Sequence, residues 1–432
     1  MLLKNKFIKN VSWIFIGNVV HAVLSFLLGI YVARELSKAD YGIINYAASW
    51  IAFFTAGAGL GFNSVINKFF SEDVQESGKY ISVTIVSRAI ISVVSVLCIA
   101  VIIFLSNGTN DEIVIITVIQ SFSIVFSAGD SIIYWFRYRQ EANLEVVYKM
   151  IAFFLSATIK ILAIAVFKNL YLYTFGIACE TLFLNVLLVS TYKKKCNWKI
   201  GFDFHKFRNI IKSSYPFIFS NILVVIYGQT DKIMLQNMLD SESVATYSVA
   251  LTIAGIVQVI ATAAIEGFRP EIISYAKAGD MKNYNRRLRQ TYCIVFWLCV
   301  VYGIFITLFS KPILLILYGE KYVTASNALS LVVWYTAFSY FGSIHSIFMV
   351  AEGKEKWVQV KALAGAICNV LLNILLIPFI GIEGAALASL LTQVMTNVVM
   401  MVIIRPLRPA FFQMIKGISF CDIREKSRSY VQ

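Results

Sequence analysis

Twelve apolar runs, each long enough to cross a lipid bilayer, follow one another along the chain. They cover residues 11–32, 41–66, 80–105, 112–136, 147–167, 170–192, 209–238, 243–266, 288–309, 323–350, 357–379 and 382–404. A spanning helix needs about 20 mostly apolar residues, and the bilayer offers no water to unpaired backbone groups, so such runs fold as helices. Only 14% of the residues are charged, against about 25% in soluble domains. The sequence therefore predicts an all-α integral membrane protein with about twelve transmembrane helices.

The positively charged residues fall mainly on one side of the predicted spans. With the N-terminus inside, the inner segments hold 31 of the 38 Lys and Arg residues, and the outer loops hold five. Lys and Arg concentrate in cytoplasmic loops, so the pattern predicts that both termini are cytoplasmic. The net charge of +14 follows from this topology and does not indicate nucleic-acid binding. The first run exceeds the apolar core of a signal peptide, and we expect it to be an uncleaved span.

A basic segment poor in apolar residues, 193–208, divides the spans into two groups of six. Sliding the chain by 203 positions places FIGN on IFSN, so that Asn18 meets Asn221, and places 36–47 on 239–250 without a gap. We interpret this match as a parallel repeat of one six-helix unit. The predicted domains are an N-terminal bundle at 1–192, a cytoplasmic linker at 193–208, a C-terminal bundle at 209–404 and a cytoplasmic tail at 405–432.

Motifs for catalysis and for metal or nucleotide binding are not found in the sequence. None of the seven cysteines falls in a predicted outer loop, and no CxxC or Cys/His spacing suggests zinc. We therefore expect a protein that is not an enzyme and that uses neither a metal nor another cofactor.

Three stretches carry a resemblance to a transporter family. The first is ARELSKADYGIINYA at 33–47, and the second is TDKIML with SVATYSVA in the second half. The third is AEGKEKW followed by NVLLNILLIPFIGIEGAALAS, within 351–389. With these motifs, essentially the whole chain resembles the Wzx-type oligosaccharide flippases of the multidrug/oligosaccharidyl-lipid/polysaccharide (MOP) exporter superfamily. Typical members have a helix-breaking residue, often Gly-Pro, where this sequence has Ser37 and Asp240.

The resemblance implies a fold, a substrate and a location. The fold would be MATE-like, with two six-helix bundles in a pseudo-twofold repeat around a central cavity that opens alternately to each side. The protein would be a multi-pass flippase of the bacterial inner membrane. It would move undecaprenyl-pyrophosphate-linked oligosaccharide repeat units from the cytoplasmic to the outer leaflet for O-antigen, lipopolysaccharide or capsule assembly. Its partners would be membrane lipids, a polysaccharide polymerase and a chain-length regulator.

Two other functions stay open. A drug or cation exporter of the same superfamily would have a cavity dominated by acidic side chains, whereas a basic cavity favours a pyrophosphate. A polysaccharide polymerase or ligase would need catalytic residues outside the membrane, and the longest predicted outer segment is roughly 310–323.

Polar side chains within the spans are the candidates for function, because an ionisable group in the bilayer is costly unless it lines water or has a partner. Lys160 near mid-span is either a cavity residue or half of an ion pair. Arg88 either lines the cavity or extends to the cytoplasmic surface. Asp130 continues a polar face with Gln120 and Ser123 and is expected to meet substrate, a proton or Arg88.

The full set of candidates combines these residues with others on polar helix faces. Gln229 and Lys232 share one face, which Asn221 extends. The alternative for Asp231 is a hydrogen bond to a neighbouring helix, and the alternative for Glu180 is an ion pair with Lys160. The predicted substrate-binding residues are Lys160, Arg88, Asp130, Lys232, Gln229, Asn18 and Asn221, and the predicted coupling or gating residues are Asp231, Glu180 and His345.

Overall fold

The computed structural model describes residues 2–62, 65–66, 69–70, 77–108, 111–196 and 201–418. Nearly all of these residues are helical, and no β-strand occurs among them. The chain divides into two compact units, Met1–Gln229 and Thr230–Gln432, called unit 1 and unit 2 below. Residues 197–200 of the predicted linker and 419–432 of the predicted tail lie outside the described residues, and the predicted domain boundaries stay predictions.

Helices follow one another with short connections in both units. In the described part of unit 1 they are α1 (Leu2–Glu35), α2 (Lys38–Ala58), α3 (Ser77–Asn107), α4 (Asp111–Phe126), α5 (Ser131–Tyr138), α6 (Ala142–Ala165), α7 (Leu170–Cys196) and most of α8 (Phe204–Met238). In unit 2 they are the end of α8, then α9 (Ser241–Ala254), α10 (Gln258–Lys277), α11 (Met281–Tyr318), α12 (Ser326–Ala351), α13 (Lys356–Val394), α14 (Met400–Ile403) and α15 (Arg408–Ile418).

The predicted spans coincide with helical segments of the described chain, and residues 63–64 of the second span lie outside the described residues. Eight segments of the described chain are long and apolar enough to cross a membrane, and one of them, Lys356–Ile403, contains the last two predicted spans. Of the other three, 209–238 lies on α8, 323–350 lies on α12 and the 3₁₀ turn before it, and 41–66 begins on α2 and continues past its end at Ala58. The prediction of an all-α membrane protein is therefore confirmed.

A sharp turn inside α13 separates its two spans. Pro378 precedes two non-helical residues, Ile380 with φ −130° and Gly381 with φ 60°. A positive φ favours glycine, because glycine has no Cβ to clash with the backbone. A Cβ added to Gly384 would lie 2.5 Å from the backbone oxygen of Leu376, so the two halves of α13 approach closely at this glycine. The small residues of the GIEGAALAS motif therefore permit the close helix approach typical of membrane proteins.

The helix that begins after the first turn of each repeat is capped in the same way. Ser37 Oγ accepts a hydrogen bond of 3.0 Å from the backbone N–H of Asp40 at the start of α2. Asp240 Oδ1 accepts one of 2.7 Å from the backbone N–H of Ser243 at the start of α9. Both residues are preferred helix N-caps. Their spacing of 203 residues matches the repeat found in the sequence.

Candidate functional site

A cavity of about 840 Å³ lies in unit 1, between α1, α2, α4, α6, α7 and the unit 1 part of α8. Ligand sites of this volume commonly combine apolar walls with a few convergent polar groups. The apolar wall here includes Ile51, Ile177 and Val224. The polar side chains that line the cavity are His21, Thr55, Gln120, Ser123, Lys149, Glu180, Thr181 and Asn221.

Glu180 on α7 is the centre of a charged cluster at the wall of this cavity. Its Oε2 lies 2.8 Å from Nζ of Lys160 and accepts a hydrogen bond of 3.2 Å from Ser156 Oγ. Its Oε1 lies 3.1 Å from Nε2 of His21. The cluster thus links α1, α6 and α7, and the expectation that Glu180 partners Lys160 is confirmed. Lys160 is only 7% exposed and lies behind Glu180, so the ion pair is present while its cavity role stays a prediction.

Lys149 presents a cation to the cavity without an acidic partner in the described residues. It lies on α6, three turns before Lys160, and its Nζ donates a hydrogen bond of 3.2 Å to Oδ1 of Asn18 on α1. Asn18 carries no charge, so the ammonium is not neutralised at this contact. A ligand anion in the cavity would supply the missing negative charge.

Arg88 and Asp130 form a second charged pair in unit 1, and neither of them lines the cavity. Nη2 of Arg88 on α3 lies 3.6 Å from Oδ2 of Asp130, and Asn185 Nδ2 donates a hydrogen bond of 2.9 Å to Asp130 Oδ1. Asp130 belongs to a 3₁₀ turn, Ser127–Asp130, that separates α4 from α5. Of the polar face predicted for this segment, Gln120 and Ser123 therefore line the cavity, whereas Asp130 meets Arg88, one of its three expected partners.

Asp231 lies at the centre of a closed hydrogen-bond network in unit 2. Its Oδ1 accepts bonds from Nδ2 of Asn369 at 3.1 Å and Nδ2 of Asn373 at 2.7 Å. Its Oδ2 accepts bonds from Tyr247 Oη at 2.7 Å and from Ser389 Oγ. The carboxylate is 4% exposed, and its partners come from α9 and both halves of α13. The alternative interpretation of Asp231, a hydrogen bond to neighbouring helices, is therefore confirmed, while gating stays a prediction.

The other candidates occupy separate positions. Asn221 lines the unit 1 cavity, and Asn18 reaches it through Lys149. Gln229 and Lys232 are half-buried on α8, and neither forms a side-chain hydrogen bond with the described residues. His345 is fully buried in unit 2. The structure thus brings together Lys160, Glu180 and the Asn18–Lys149 pair, and it does not bring Gln229 or His345 to this cavity.

Sequence reasoning did not select Lys149 or His21 as site residues, although both line the cavity. The helical spacing of polar residues could have indicated both. Lys149, Ser156 and Lys160 share one helix face, and so do Asn18, His21 and Ser25. Which faces meet one another across α1, α6 and α7 is decided by packing.

Comparison with known proteins gives a consistent result. The polysaccharide biosynthesis protein family matches residues 7–272, and the MatE family matches residues 216–375. The capsular polysaccharide biosynthesis protein CapF of Staphylococcus aureus is 22% identical over 397 residues, which cover 89% of this chain and 96% of CapF. The match to the polysaccharide biosynthesis protein family covers more than half of the chain.

Two solved transporters share the fold. Lipid II flippase MurJ in an inward closed conformation superposes with a TM-score of 0.73 and 16% identity, over 94% of this chain and 90% of MurJ. A multidrug resistance MATE family transporter of the MOP superfamily, in an inward-facing conformation, superposes with a TM-score of 0.70 and 15% identity, over 91% of this chain and 94% of that transporter. At such identities the superpositions establish a MATE-like fold. The chain belongs to the polysaccharide biosynthesis protein family and has a MATE-like fold.

Proposed function

We propose that this protein is a flippase for lipid-linked oligosaccharides. Its substrate is an undecaprenyl-pyrophosphate-linked repeat unit, which it moves from the cytoplasmic to the outer leaflet of the inner membrane by alternating access. The repeat unit then enters O-antigen or capsule assembly, where a polymerase and a chain-length regulator act on it. The similarity to CapF and the fold shared with lipid II flippase MurJ support this class of substrate.

The observation that carries the proposal is the ammonium of Lys149 in the unit 1 cavity, which no acid of the described residues neutralises. A pyrophosphate is multiply charged and needs cationic partners, which Lys149 supplies as a point charge. Lys160, behind the cavity wall, neutralises Glu180 at 2.8 Å, so among the described Lys and Glu side chains at the cavity the remaining charge is the positive one of Lys149. The amide groups of Gln120 and Asn221 and the hydroxyl of Ser123 offer hydrogen bonds to sugar hydroxyls.

The charge of the cavity also distinguishes the proposal from a drug or cation exporter. Such an exporter would need unpaired acids to attract its cargo. Glu180 is the acid among the described cavity residues, and two basic groups, His21 and Lys160, already contact it. The lining therefore favours an anionic over a cationic ligand.

Deletion of the gene tests the proposal. Surface polysaccharide should be depleted in the deletion strain, while lipid-linked repeat units accumulate on the cytoplasmic side of the membrane. The wild-type gene supplied in trans should restore both to normal. Normal polysaccharide in the deletion strain, with no second flippase gene present, would contradict the proposal.

Topology is tested separately, because the direction of transport depends on it. Reporter fusions within 193–208 and at both ends of the chain should report the cytoplasm, as the distribution of Lys and Arg predicts. A fusion in the 107–111 loop should report the outer side. A cytoplasmic signal from that loop would overturn the twelve-span arrangement.

A further inference from the structure

A second cluster of basic and polar side chains is buried in unit 2, and the proposed transport function does not use it. Nζ of Lys361 on α13 donates a hydrogen bond of 3.0 Å to Oδ1 of Asn397 and lies 3.5 Å from Nδ1 of His345 on α12. The exposed fractions are 6% for Lys361, 4% for Asn397 and zero for His345. Asn397 belongs to a π-helical turn, Met395–Val399, that follows α13. Such turns often occur at functional sites.

Among the described residues, the groups that face this cluster carry no negative charge. From α11, the ring of Tyr292 lies 5.6 Å from the His345 ring. From the end of α13, Gln393 Oε1 accepts a bond of 2.7 Å from Asn397 Nδ2, and α10 contributes apolar side chains such as Ile265 to the same core. Lys361 forms no ion pair within the described residues. Tyr292 is thus the titratable neighbour, and it is uncharged at neutral pH.

The number of hydrogen bonds indicates which form of Lys361 the site fits. An ammonium group has three N–H donors, whereas the site offers two acceptors, Asn397 Oδ1 and His345 Nδ1. An uncharged amine has two N–H donors, and these two acceptors match them when His345 carries its ring proton on Nε2. The lone pair of the amine is then left available to accept a proton. A buried ammonium would in addition bear the full cost of desolvation without a counter-charge.

We propose that Lys361, His345 and Asn397 form a proton-binding site in unit 2, at which Lys361 is an uncharged amine in this conformation. Proton uptake places H⁺ on the lone pair of Nζ and creates an ammonium with a third donor. That donor has no acceptor here, so protonation requires a rearrangement of the cluster or the entry of water. The ligand of this site is the proton itself.

The site lies near the ends of two helices that one connection joins. Lys361 lies five residues after the start of α13, and His345 lies six residues before the end of α12, which corresponds to about 8–9 Å along each helix. Both lie near the same connection, 352–355. The neighbouring packing is tight, since a Cβ added to Gly342 would lie 2.8 Å from Asn397 Oδ1. Protonation is therefore expected to move the π-helical turn.

Thermal unfolding of the purified protein as a function of pH tests this assignment. A lysine that is uncharged when folded and charged when unfolded makes the unfolded state bind more protons, so stability is lost as the pH falls. Lys361→Met removes this dependence. The Tm of Lys361→Met minus the Tm of wild type should therefore increase as the pH falls from about 9 to about 6. It should level off once Lys361 takes up its proton in the folded protein.

Lys356→Met is the matched control, because Lys356 is exposed on the same helix; its difference from wild type should not depend on pH. A pH-independent difference for Lys361→Met would overturn the proposal. If that variant does not fold, ¹⁵N-histidine NMR of the wild-type protein decides, with the His345 signal assigned by its loss in His345→Gln. A single pH transition at Nδ1 of His345 is expected, and an unchanged signal over the same range would overturn the assignment. Neither measurement needs a substrate, so either result is independent of the flippase proposal.

Discussion

Unit 1 and unit 2 both hold a polar cluster between the first, fifth and sixth spans of their repeat, which the second span joins in unit 2, but the two clusters differ in chemistry. In unit 1, Glu180 meets two basic groups, His21 and Lys160, at 3.1 and 2.8 Å, and a cavity lies beside them. In unit 2, Asp231 meets only uncharged donors and is 4% exposed. The same helices thus form a charged, open cluster in one unit and a neutral-lined, closed cluster in the other.

The repeat shows how this difference arises in the sequence. At the offset of 203 residues, Asp231 corresponds to Leu28, and Tyr247, which donates to Asp231, corresponds to Ile44. Two apolar residues in unit 1 are therefore replaced by an acid and its hydrogen-bond donor in unit 2. If the cavity binds the ligand as proposed, unit 1 is the ligand-binding half, whereas the Asp231 network joins helices within unit 2.

The largest expected effect is on the closed cluster. Asp231→Ala removes the shared acceptor of four buried donors, of which the two asparagine amides keep a second acceptor. Each buried donor left without an acceptor costs about 1–3 kcal/mol. We expect a loss of several kcal/mol and a strongly reduced yield of folded protein, measured by size-exclusion chromatography and thermal unfolding in detergent. Leu28→Ala, at the corresponding position of unit 1, should lose less because no buried polar group loses its partner. Equal losses would show that the network does not stabilise unit 2.

A smaller loss of stability is expected in the open cluster. Glu180→Gln leaves Lys160 without its counter-charge, and breaking a buried ion pair costs about 3–5 kcal/mol; partial exposure of Glu180, 25% of its side chain, reduces this to about 2 kcal/mol. The double variant Lys160→Met with Glu180→Gln should recover most of the loss, because no unpaired charge remains. Unfolding of the four proteins as a double-mutant cycle measures the coupling. Additive losses would contradict a direct interaction.

Transport should depend on Lys149, the cavity lysine that has no acidic partner among the described residues. Lys149→Met is expected to reduce polysaccharide export about tenfold or more, the loss of about 1.4 kcal/mol of substrate stabilisation, while the protein still inserts. Lys149→Arg keeps the charge and should retain part of the activity. Export is measured by complementation of the deletion strain, with membrane levels of each variant determined in parallel.

The control for this variant is Lys356→Met in unit 2, which removes an exposed lysine outside the cavity. It should complement as wild type does. Full activity of Lys149→Met would remove the main support for an anionic ligand in the unit 1 cavity.

The smallest expected loss of stability concerns the helix N-cap that the two units share. Ser37→Ala and Asp240→Ala each remove an N-cap hydrogen bond, and each should cost about 1 kcal/mol of stability. Similar losses in thermal unfolding would support the structural equivalence of the two turns. A marked difference would show that the repeat does not extend to the energetics of its caps.

The sequence by itself determined the features that depend on neighbouring residues. The spans follow from runs of apolar side chains, the turn after Pro378 follows from proline and glycine chemistry, and the caps at Ser37 and Asp240 follow from side chains that reach backbone groups three residues ahead. The partnership of Lys160 with Glu180 was also predictable, because a mid-span lysine needs an acid and few acids were available.

Only the tertiary structure decided which helix faces meet. The bonds between Asp231 and Asn369, Asn373 or Ser389 join residues 138 to 158 positions apart, and no local pattern fixes such pairs. The 3₁₀ turn that ends at Asp130 placed that carboxylate against Arg88 and left Gln120 to line the cavity. Helical periodicity assigns a side chain to a face of its own helix. Whether that face meets a charge, a cavity or lipid depends on how the helices pack, which long-range contacts determine.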